Sequence, residues 1–344
     1  MNSPDNNISD ENEKQQRLQE QARDQSNARW RDFITGIAIS NLVGIAAIFA
    51  YRYILREIGN SNSFETFVTT QFVVLPMGMG IVASFYWRKL RFTGGESAIG
   101  SLAVTALALF CSFIFLREGV LCIVMALPLL FFFVFAGVTI GQFLWKRNTW
   151  LGMSTLPLLA AMLIADSQMP HHHAAIVADE ILIRATPAEV WRYIASYPAN
   201  EKPADYWLWK IGLPIPIQST SQGAFVGAKR DCRFSGNVVF EEKIVEVQPA
   251  RVLTFDVTKQ PDHPEINGHF NLDRGRFELR DNGDGTTTLV GTTWYRLHVY
   301  PSQYFDLWAQ DIIRRVHFRV MNHIKELAER DSRKHHRILS NSLP

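Results

Sequence analysis

The sequence predicts an all-α helical bundle within a membrane, followed by an α+β domain outside it. Two observations lead to this division. Nearly all long runs without charge lie before residue 167, and the 344 residues are enough for two domains. After that point, short segments with a period of two alternate with turn residues until one long amphipathic helix closes the chain.

The first 28 residues are polar, rich in Asn, Asp, Glu, Gln and Ser with almost no large apolar side chain. Such a segment buries too little surface to offset its ordering entropy, so we expect a disordered or frayed tail. Within it, the charged stretch 14–23 favours a transient helix. A cleavable signal peptide is not expected, because the first apolar run begins only near Phe33 and lacks a small-residue cleavage pattern behind it.

Five apolar runs follow, at residues 33–55, 67–87, 98–116, 120–145 and 150–165. A helix needs about 20 apolar residues to cross a hydrocarbon core of about 30 Å, and the first four runs reach or approach that length. The fifth run is shorter and contains Pro157. Tryptophans stand at the ends of the runs, where an indole suits the membrane–water interface. We therefore expect about five spans within residues 29–167.

Inside the runs there is almost no charge, so no ion or proton path is indicated. Glycines at 78–80 and 137–141 predict that helices approach closely there. The membrane part is interpreted as an anchor or a small bundle.

Arginines and lysines near the ends of the runs predict the orientation. One side of the membrane collects Arg23, Arg29, Arg31, Arg88, Lys89, Arg91, Lys146 and Arg147, and the other collects Arg52, Arg56 and Arg117. The richer side faces the cytoplasm, which places the N-terminus there; in a bacterium this would be the inner membrane. The C-terminal domain is periplasmic if all five runs cross, and cytoplasmic if the run with Pro157 lies in the interface.

Composition excludes some functions. The net charge of +2 comes from scattered basic residues, so no nucleic-acid partner is expected.

His171, His172 and His173 lie in a linker at 168–175. Adjacent side chains on an extended chain point to alternate sides, so a polar linker is favoured over a metal site. No metal and no cofactor is predicted.

The rest of the chain reads as a domain at 176–330 with a polar tail at 331–344. The segment Thr186–Trp191 has a helix cap, a proline at the first helical position and a glutamate in the capping-box position. Residues 197–217 are interpreted as irregular. Strands are predicted at 176–183, 225–234, 238–247, 252–257, 276–279 and 286–298.

The last strand and the closing helix carry the strongest pattern. On the strand, alternate residues from Thr287 to Leu297 share one face. The helix begins at the cap residue Ser302 and extends to about Arg330, with an apolar stripe that needs a large partner such as a sheet. Antiparallel strands with helices on one side make an α+β plan.

This ordered series resembles the START-like (SRPBCC) superfamily of helix-grip domains, often described as polyketide cyclase/dehydrase and lipid transport. The resemblance rests on the opening strand with Thr186–Trp191, the hairpin at Pro249–Arg251 leading to Leu253–Phe255, the Asp-Gly hairpin at 281–285, and the closing strand and helix. Residues 291–295 and the corner 298–304 are similar to a membrane-linked bacterial subgroup.

The resemblance implies an antiparallel sheet wrapped around the long C-terminal helix, enclosing an apolar cavity. In relatives such cavities bind lipids, polyketides, sterols or other hydrophobic molecules. Catalytic residues differ between branches of the superfamily, so none is carried over and the catalytic residues are unknown.

One arginine points where apolar side chains point. Arg230 shares a strand face with Val226, Ala228, Cys232 and Phe234. An inward arginine is expensive unless it is paired, and two interpretations stay open. Arg230 either binds a ligand carboxylate or phosphate, or forms a buried ion pair with Asp311, Glu241 or Glu242. The predicted cavity residues are Arg230, Tyr295, Trp308, Asp311, Arg315, Phe234 and Phe255.

Trp207 and Trp209 lie in a long segment at 202–216 that, like 260–273, is predicted to cover a cavity mouth. The two tryptophans either touch lipid headgroups or take part in ordinary packing. His298, His317 and His323 are candidate general bases. Without a nucleophile or an acidic partner nearby in sequence, surface or corner positions are favoured for them.

We therefore expect a membrane-anchored domain that binds a hydrophobic or lipid-like ligand at the bilayer surface, for binding, transfer or sensing. Its expected partners are membrane lipids and a hydrophobic small molecule. Two alternatives stay open: a cyclase, dehydratase or hydrolase acting on a hydrophobic substrate, and a membrane-tethered interaction module without a ligand. Catalysis predicts an acid–base pair deep in the domain.

Overall fold

The structure, a computed structural model, describes residues 4–58, 70–90, 92–115, 119–147, 173–263, 266 and 269–341. These residues divide into two compact units. One unit holds the N-terminal helices. The other holds the C-terminal domain together with residues 119–125. The fifth predicted apolar run, at 150–165, and most of the linker lie outside the described residues.

The N-terminal unit is helical, as predicted. Helix α1 is Pro4–Ile58, one π-helical turn at Thr70–Val74 leads into α2 at Leu75–Trp87, and α3 and α4 are Gly94–Phe115 and Val120–Arg147. In the described part of the chain, three helices are long and apolar enough to cross a membrane, while Phe72–Trp87 is shorter. The predicted disordered tail was wrong from Pro4 onward, because the first apolar run continues a helix that begins there.

Glycines bring α2 and α4 together, which confirms the prediction of close approach. A β-carbon at Gly80 would overlap the backbone of Val134, and one at Gly137 would overlap the backbone of Met77. Trp87 is buried inside this unit, and its Nε1 donates to the Phe33 carbonyl oxygen at 3.1 Å. Small residues therefore set the packing distance in this unit.

We expect Gly137→Leu to destabilise the helical unit by at least about 1–3 kcal/mol, because backbone occupies the space that the new side chain needs. Unfolding in mixed detergent micelles, followed by circular dichroism, measures the effect. Gly95→Leu is the matched control, since nothing lies within 4 Å of a β-carbon at Gly95. Equal losses in both variants would contradict this account of the packing.

The C-terminal domain is a sheet that grips a long helix, which confirms the predicted fold class. Its elements are β1 His173–Ile183, α5 Pro187–Trp191, α6 Trp207–Lys210, β2 Pro216–Ser221, β3 Lys229–Phe234, β4 Val239–Gln248, β5 Val252–Lys259, β6 Phe270–Asp281, β7 Thr287–Leu297 and α7 Ser302–Asn341. The seven strands are antiparallel in the order β1-β7-β6-β5-β4-β3-β2.

Local sequence explains several boundaries. The backbone N–H of Thr186 donates to the Glu189 carboxylate at 2.8 Å, which confirms the capping box at the start of α5. The segment predicted as irregular includes β2, and the predicted C-terminal tail continues α7 to Asn341. β2 was missed because Pro214 and Pro216 demote a strand prediction, although proline is tolerated on an edge strand such as β2.

One end of the grip is a continuous apolar core. It lies between the inner face of the sheet, α5 and the second half of α7. Its fully buried members are Ile183, Val190, Ile194, Ala228, Ile244, Leu253, Leu289, Met321, Ile324 and Ala328. Moving along α7 from this core toward Ser302, the inner faces carry polar groups, and the candidate site lies there.

Candidate functional site

Three elements bring a buried hydrogen-bonded chain of side chains together. Thr293 lies on the inner face of β7, and its Oγ1 is 2.7 Å from Nε2 of His317 on α7. The other ring nitrogen of His317, Nδ1, is 2.8 Å from Oδ2 of Asp179 on β1. We call Asp179, His317 and Thr293 the polar relay.

The hydrogen-bond partners within the relay determine which of its atoms carry protons. A carboxylate only accepts hydrogen bonds, so Nδ1 of His317 carries the proton and donates to Asp179. Nε2 then accepts from the Thr293 hydroxyl. Burial lowers the pKa of His317 below its ordinary value, with Asp179 opposing the shift and Arg314 adding to it. His317 is therefore a neutral base at neutral pH.

Two of the candidate histidines differ in burial. His317 is only 8% exposed, so the favoured surface or corner position was wrong for it. His323 is partly exposed and lies 2.9 Å from the Pro198 carbonyl oxygen. The acidic partner of His317 was missed because Asp179 is far away in sequence. The sequence did indicate that Asp179 points inward, because it lies midway between Val177 and Ile181 on β1 and alternate residues share a strand face.

Arg230 lies on the inner face of β3, 2% exposed, and its Nη1 donates to Glu242 on β4. The two residues are direct cross-strand partners. Nε of Arg230 also donates to the Ala195 carbonyl oxygen at 3.1 Å. Burial raises the pKa of Glu242, while Arg230 opposes that rise. The partner is thus one of the predicted glutamates and not Asp311.

Aromatic and thiol groups surround this pair. The guanidinium carbon of Arg230 lies 4.4 Å from the centre of the Phe255 ring. Next to it, the Tyr197 hydroxyl and the Cys232 sulfur are 4.0 Å apart. Burial raises the pKa of Cys232 to about 12, so this thiol stays protonated and is a poor nucleophile.

Gly275 gives the Phe255 ring its place, because a β-carbon at Gly275 would overlap the ring. We expect Gly275→Ala to push the ring from Arg230 and to destabilise the domain by about 1–3 kcal/mol. Pulse proteolysis over a urea series measures the loss. Gly291→Ala is the matched control on the neighbouring strand, where the nearest atom is the flexible Met321 sulfur at 3.1 Å. A larger loss for Gly291→Ala would refute this role of Gly275.

Tyr295 is two residues beyond Thr293 on the same face of β7. It is 1% exposed, stacks on Phe270 with ring centres 5.5 Å apart, and donates its hydroxyl to Asp306 at 2.5 Å. Burial and then Asp306 raise the pKa of Tyr295 above its ordinary range. The predicted apolar wall at Tyr295 therefore carries a hydroxyl that already has an acceptor.

Trp308, Asp311 and Arg315 contact the segment that contains α6. The Tyr206 hydroxyl donates to Asp311 at 2.7 Å, the Arg315 guanidinium lies 5.3 Å from the Tyr206 ring centre, and the ring centres of Trp207 and Trp308 are 6.3 Å apart. At about 100° per residue, this helix face is nearly opposite the one that carries His317. Their predicted contact with a ligand stays a prediction.

The remaining predicted site residues are Phe234, Trp207 and Trp209. Phe234 packs on Phe240 with ring centres 5.2 Å apart. Trp207 is 46% exposed and Trp209 is 8% exposed, so only the first offers a broad face to its surroundings. Among the described residues, no group of three or more His, Cys, Asp or Glu side chains is placed to hold a metal ion. His171 and His172 lie outside those residues.

Residues 174–329 match the model of the family described as polyketide cyclase / dehydrase and lipid transport. The C-terminal domain belongs to this family. The match begins within β1 and ends within α7, so it covers the sheet and most of the gripped helix. The relay and the Arg230–Glu242 pair both lie inside this family domain. A comparison with curated proteins gave no match.

Solved structures similar to the domain come from plants and bacteria. Norcoclaurine synthase from Thalictrum flavum is 12% identical, with a TM-score of 0.33, and the alignment covers 46% of this chain and 96% of that one. A protein from Thermobifida fusca is 20% identical, with a TM-score of 0.30 and coverages of 45% and 93%. A protein from Mesorhizobium loti is 16% identical, with a TM-score of 0.31 and coverages of 45% and 98%.

Proposed function

We propose that the family domain binds a hydrophobic or lipid-like molecule between its sheet and α7, at the surface of the membrane that anchors the chain. The observation that carries the proposal is the family match over residues 174–329, because lipid transport is part of the family's description. The gripped helix adds support, since its inward face and the sheet present apolar side chains to each other.

Buried polar groups suggest how such a molecule is oriented. A hydrophobic site usually fixes its ligand through a few well-placed polar contacts. Arg230 or Tyr295 is the predicted contact for the polar head. Because Glu242 already neutralises Arg230, an uncharged head such as a hydroxyl or carbonyl is favoured there over a carboxylate or phosphate. The apolar part of the ligand then lies toward Phe255.

The charge count supports the periplasmic side for the domain. If all five predicted runs cross the membrane, the domain lies on the side opposite the cytoplasmic N-terminus. Protease added to intact spheroplasts should then cleave the domain; complete protection would exclude this side.

Native mass spectrometry of the full chain, released from detergent micelles, tests ligand binding. We expect a co-purified apolar molecule that Val177→Phe reduces, since Val177 is buried on the inner face of β1 opposite Thr293. Ala178→Phe, on the exposed outer face, should leave it unchanged. A chain that carries no molecule, and takes up none from added lipid, would overturn the proposal.

A second candidate function is catalysis on a hydrophobic substrate. The observation that favours it is the polar relay, because an enzyme of this kind needs an acid–base group inside the domain. In this candidate function His317 is the base and Asp179 is the residue that orients it, and their hydrogen bonds support these roles.

A further inference from the structure

We propose that Thr293, His317 and Asp179 form an acyl-transfer site that hydrolyses esters of hydrophobic acids. This inference rests on the proposed function, because the ester has to enter the space between sheet and helix where hydrophobic ligands are bound. Thr293 is the nucleophile, His317 is the general base, and Asp179 is a positioning residue.

The hydrogen bonds have the order that nucleophilic catalysis requires. A hydroxyl, a base within hydrogen-bond reach and a third group that orients the base define an activated nucleophile on any fold. Here the two distances are 2.7 Å and 2.8 Å. The three residues come from three separate elements, so the arrangement arises from the fold and not from adjacency in sequence.

The surroundings of Thr293 suit an apolar acyl chain. On β7 the preceding inward residue is Gly291, and the cross-strand partner on β6 is Gly275. Neither position has a β-carbon that would crowd the hydroxyl. The Phe255 ring and the Met321 thioether occupy the space over these glycines, so an acyl chain has to displace them. Both are apolar, and methionine is the side chain that adapts most readily to a new neighbour.

The charges near the base are favourable. Asp179 receives Nδ1–H of His317 on one oxygen, and its other oxygen lies 3.8 Å from Nε of Arg314, which is more than half exposed. The carboxylate is thus fixed on the ring side and partly balanced on the solvent side. It stabilises the imidazolium that forms when His317 takes a proton.

Each step conserves atoms and charge. The Thr293 Oγ1 attacks the ester carbonyl carbon while its proton moves to Nε2 of His317. The bond to the alcohol oxygen then breaks, and that oxygen takes the proton from Nε2. Water attacks the acyl-threonine, gives a proton to Nε2, and the threonine oxygen leaves with that proton. One ester and one water become one carboxylic acid and one alcohol.

Hydrolysis of p-nitrophenyl octanoate and p-nitrophenyl acetate by the full chain in detergent micelles tests the inference. We expect octanoate to be preferred, Thr293→Ala to lower kcat at least about 100-fold, and Thr293→Ser to retain activity. Thr287→Ala is the matched control. Thr287 is buried on the same face of β7, but its Oγ1 donates to the Ala185 carbonyl oxygen. It should keep full activity.

The kinetics and pH profile of Asp179→Asn test the positioning role of Asp179. Asp179 raises the pKa of His317, so Asp179→Asn should lower that pKa further and weaken the base. We expect kcat to fall with little change in KM, and the acidic limb of the pH profile to move to lower pH. A purely structural role would leave the position of that limb unchanged.

A variant-free measurement covers the case in which substitutions disturb folding. An octyl fluorophosphonate should label the native chain, and peptide mass spectrometry should place the adduct on Thr293. No ester hydrolysis above background and no adduct on Thr293 would overturn the inference. If native mass spectrometry still finds a bound apolar molecule in that case, the proposed function stands while the catalytic inference fails.

Discussion

Glu242→Ala should destabilise the family domain by about 3–5 kcal/mol, because it leaves the buried Arg230 charge without its partner. Both side chains are almost fully buried, at 2% and 3% exposure, so water does not replace the lost carboxylate. The Phe255 ring and the Ala195 carbonyl oxygen remain as contacts of Arg230, and neither carries a full negative charge. Pulse proteolysis across a urea series, on the full chain in detergent, gives the change in free energy of unfolding.

Asp256→Ala is the matched control for this loss. Asp256 pairs with Arg274 on neighbouring strands of the same sheet at 2.6 Å, but both side chains are exposed by more than a third. An exposed pair contributes at most about 1 kcal/mol. Replacing both buried partners, with Arg230→Met and Glu242→Leu, should restore most of the stability lost by Glu242→Ala. A cost for Glu242→Ala no larger than that for Asp256→Ala would refute the account of this pair.

His317→Leu should also carry a large cost, because it leaves two buried partners, Asp179 and Thr293, without their hydrogen bonds. Each buried polar group left unsatisfied costs about 1–3 kcal/mol. His323→Leu is the matched control on the same helix, since His323 is partly exposed and contacts one carbonyl oxygen. Its cost should be well below that of His317→Leu in the same urea series. Similar costs for the two variants would mean that the relay contributes nothing to stability.

Acid should lower the free energy of unfolding of the domain through protonation of His317. The folded pKa of His317 lies below the ordinary value of 6.5, so the unfolded chain binds the proton more readily. The stabilisation is therefore present in full above about pH 6.5 and is lost as the pH falls from there through the folded pKa. Urea midpoints between pH 7.5 and 5 measure it. His317→Leu should remove this part of the pH dependence, whereas His323→Leu should keep it.

The fold was predictable where a local sequence pattern agrees with the packing of the whole domain. The capping box at Thr186 set the start of α5, and the period-two pattern from Thr287 to Leu297 assigned the buried face of β7. Predicted helix boundaries were wrong where an adjoining helix extends into a polar segment. The polar N-terminal stretch is helical because it extends an apolar helix, and α7 continues past Arg330 to Asn341 although few of those residues are strong helix formers.

The candidate site was predictable only in part. Strand alternation was enough to point Arg230 inward, because Arg230, Cys232 and Phe234 on one face of β3 are all less exposed than Lys229 and Arg233. Its partner required the β3–β4 register, and the partner of His317 required β1 to lie beside β7. Trp308 and Arg315 follow an amphipathic stripe, yet α7 is covered on more than one side, so periodicity alone cannot tell which neighbour a given face meets.

Photo-crosslinking tests the central claim of ligand binding between sheet and helix most directly. A fatty alcohol that carries a diazirine at mid-chain is added to membranes containing the full chain, irradiated, and mapped by peptide mass spectrometry. We expect adducts on the inner face of the domain, at the buried residues Val177, Tyr295 or Met321, which decline when unlabelled fatty alcohol competes. Adducts confined to α1, α3 and α4, with none on these inward residues, would contradict it.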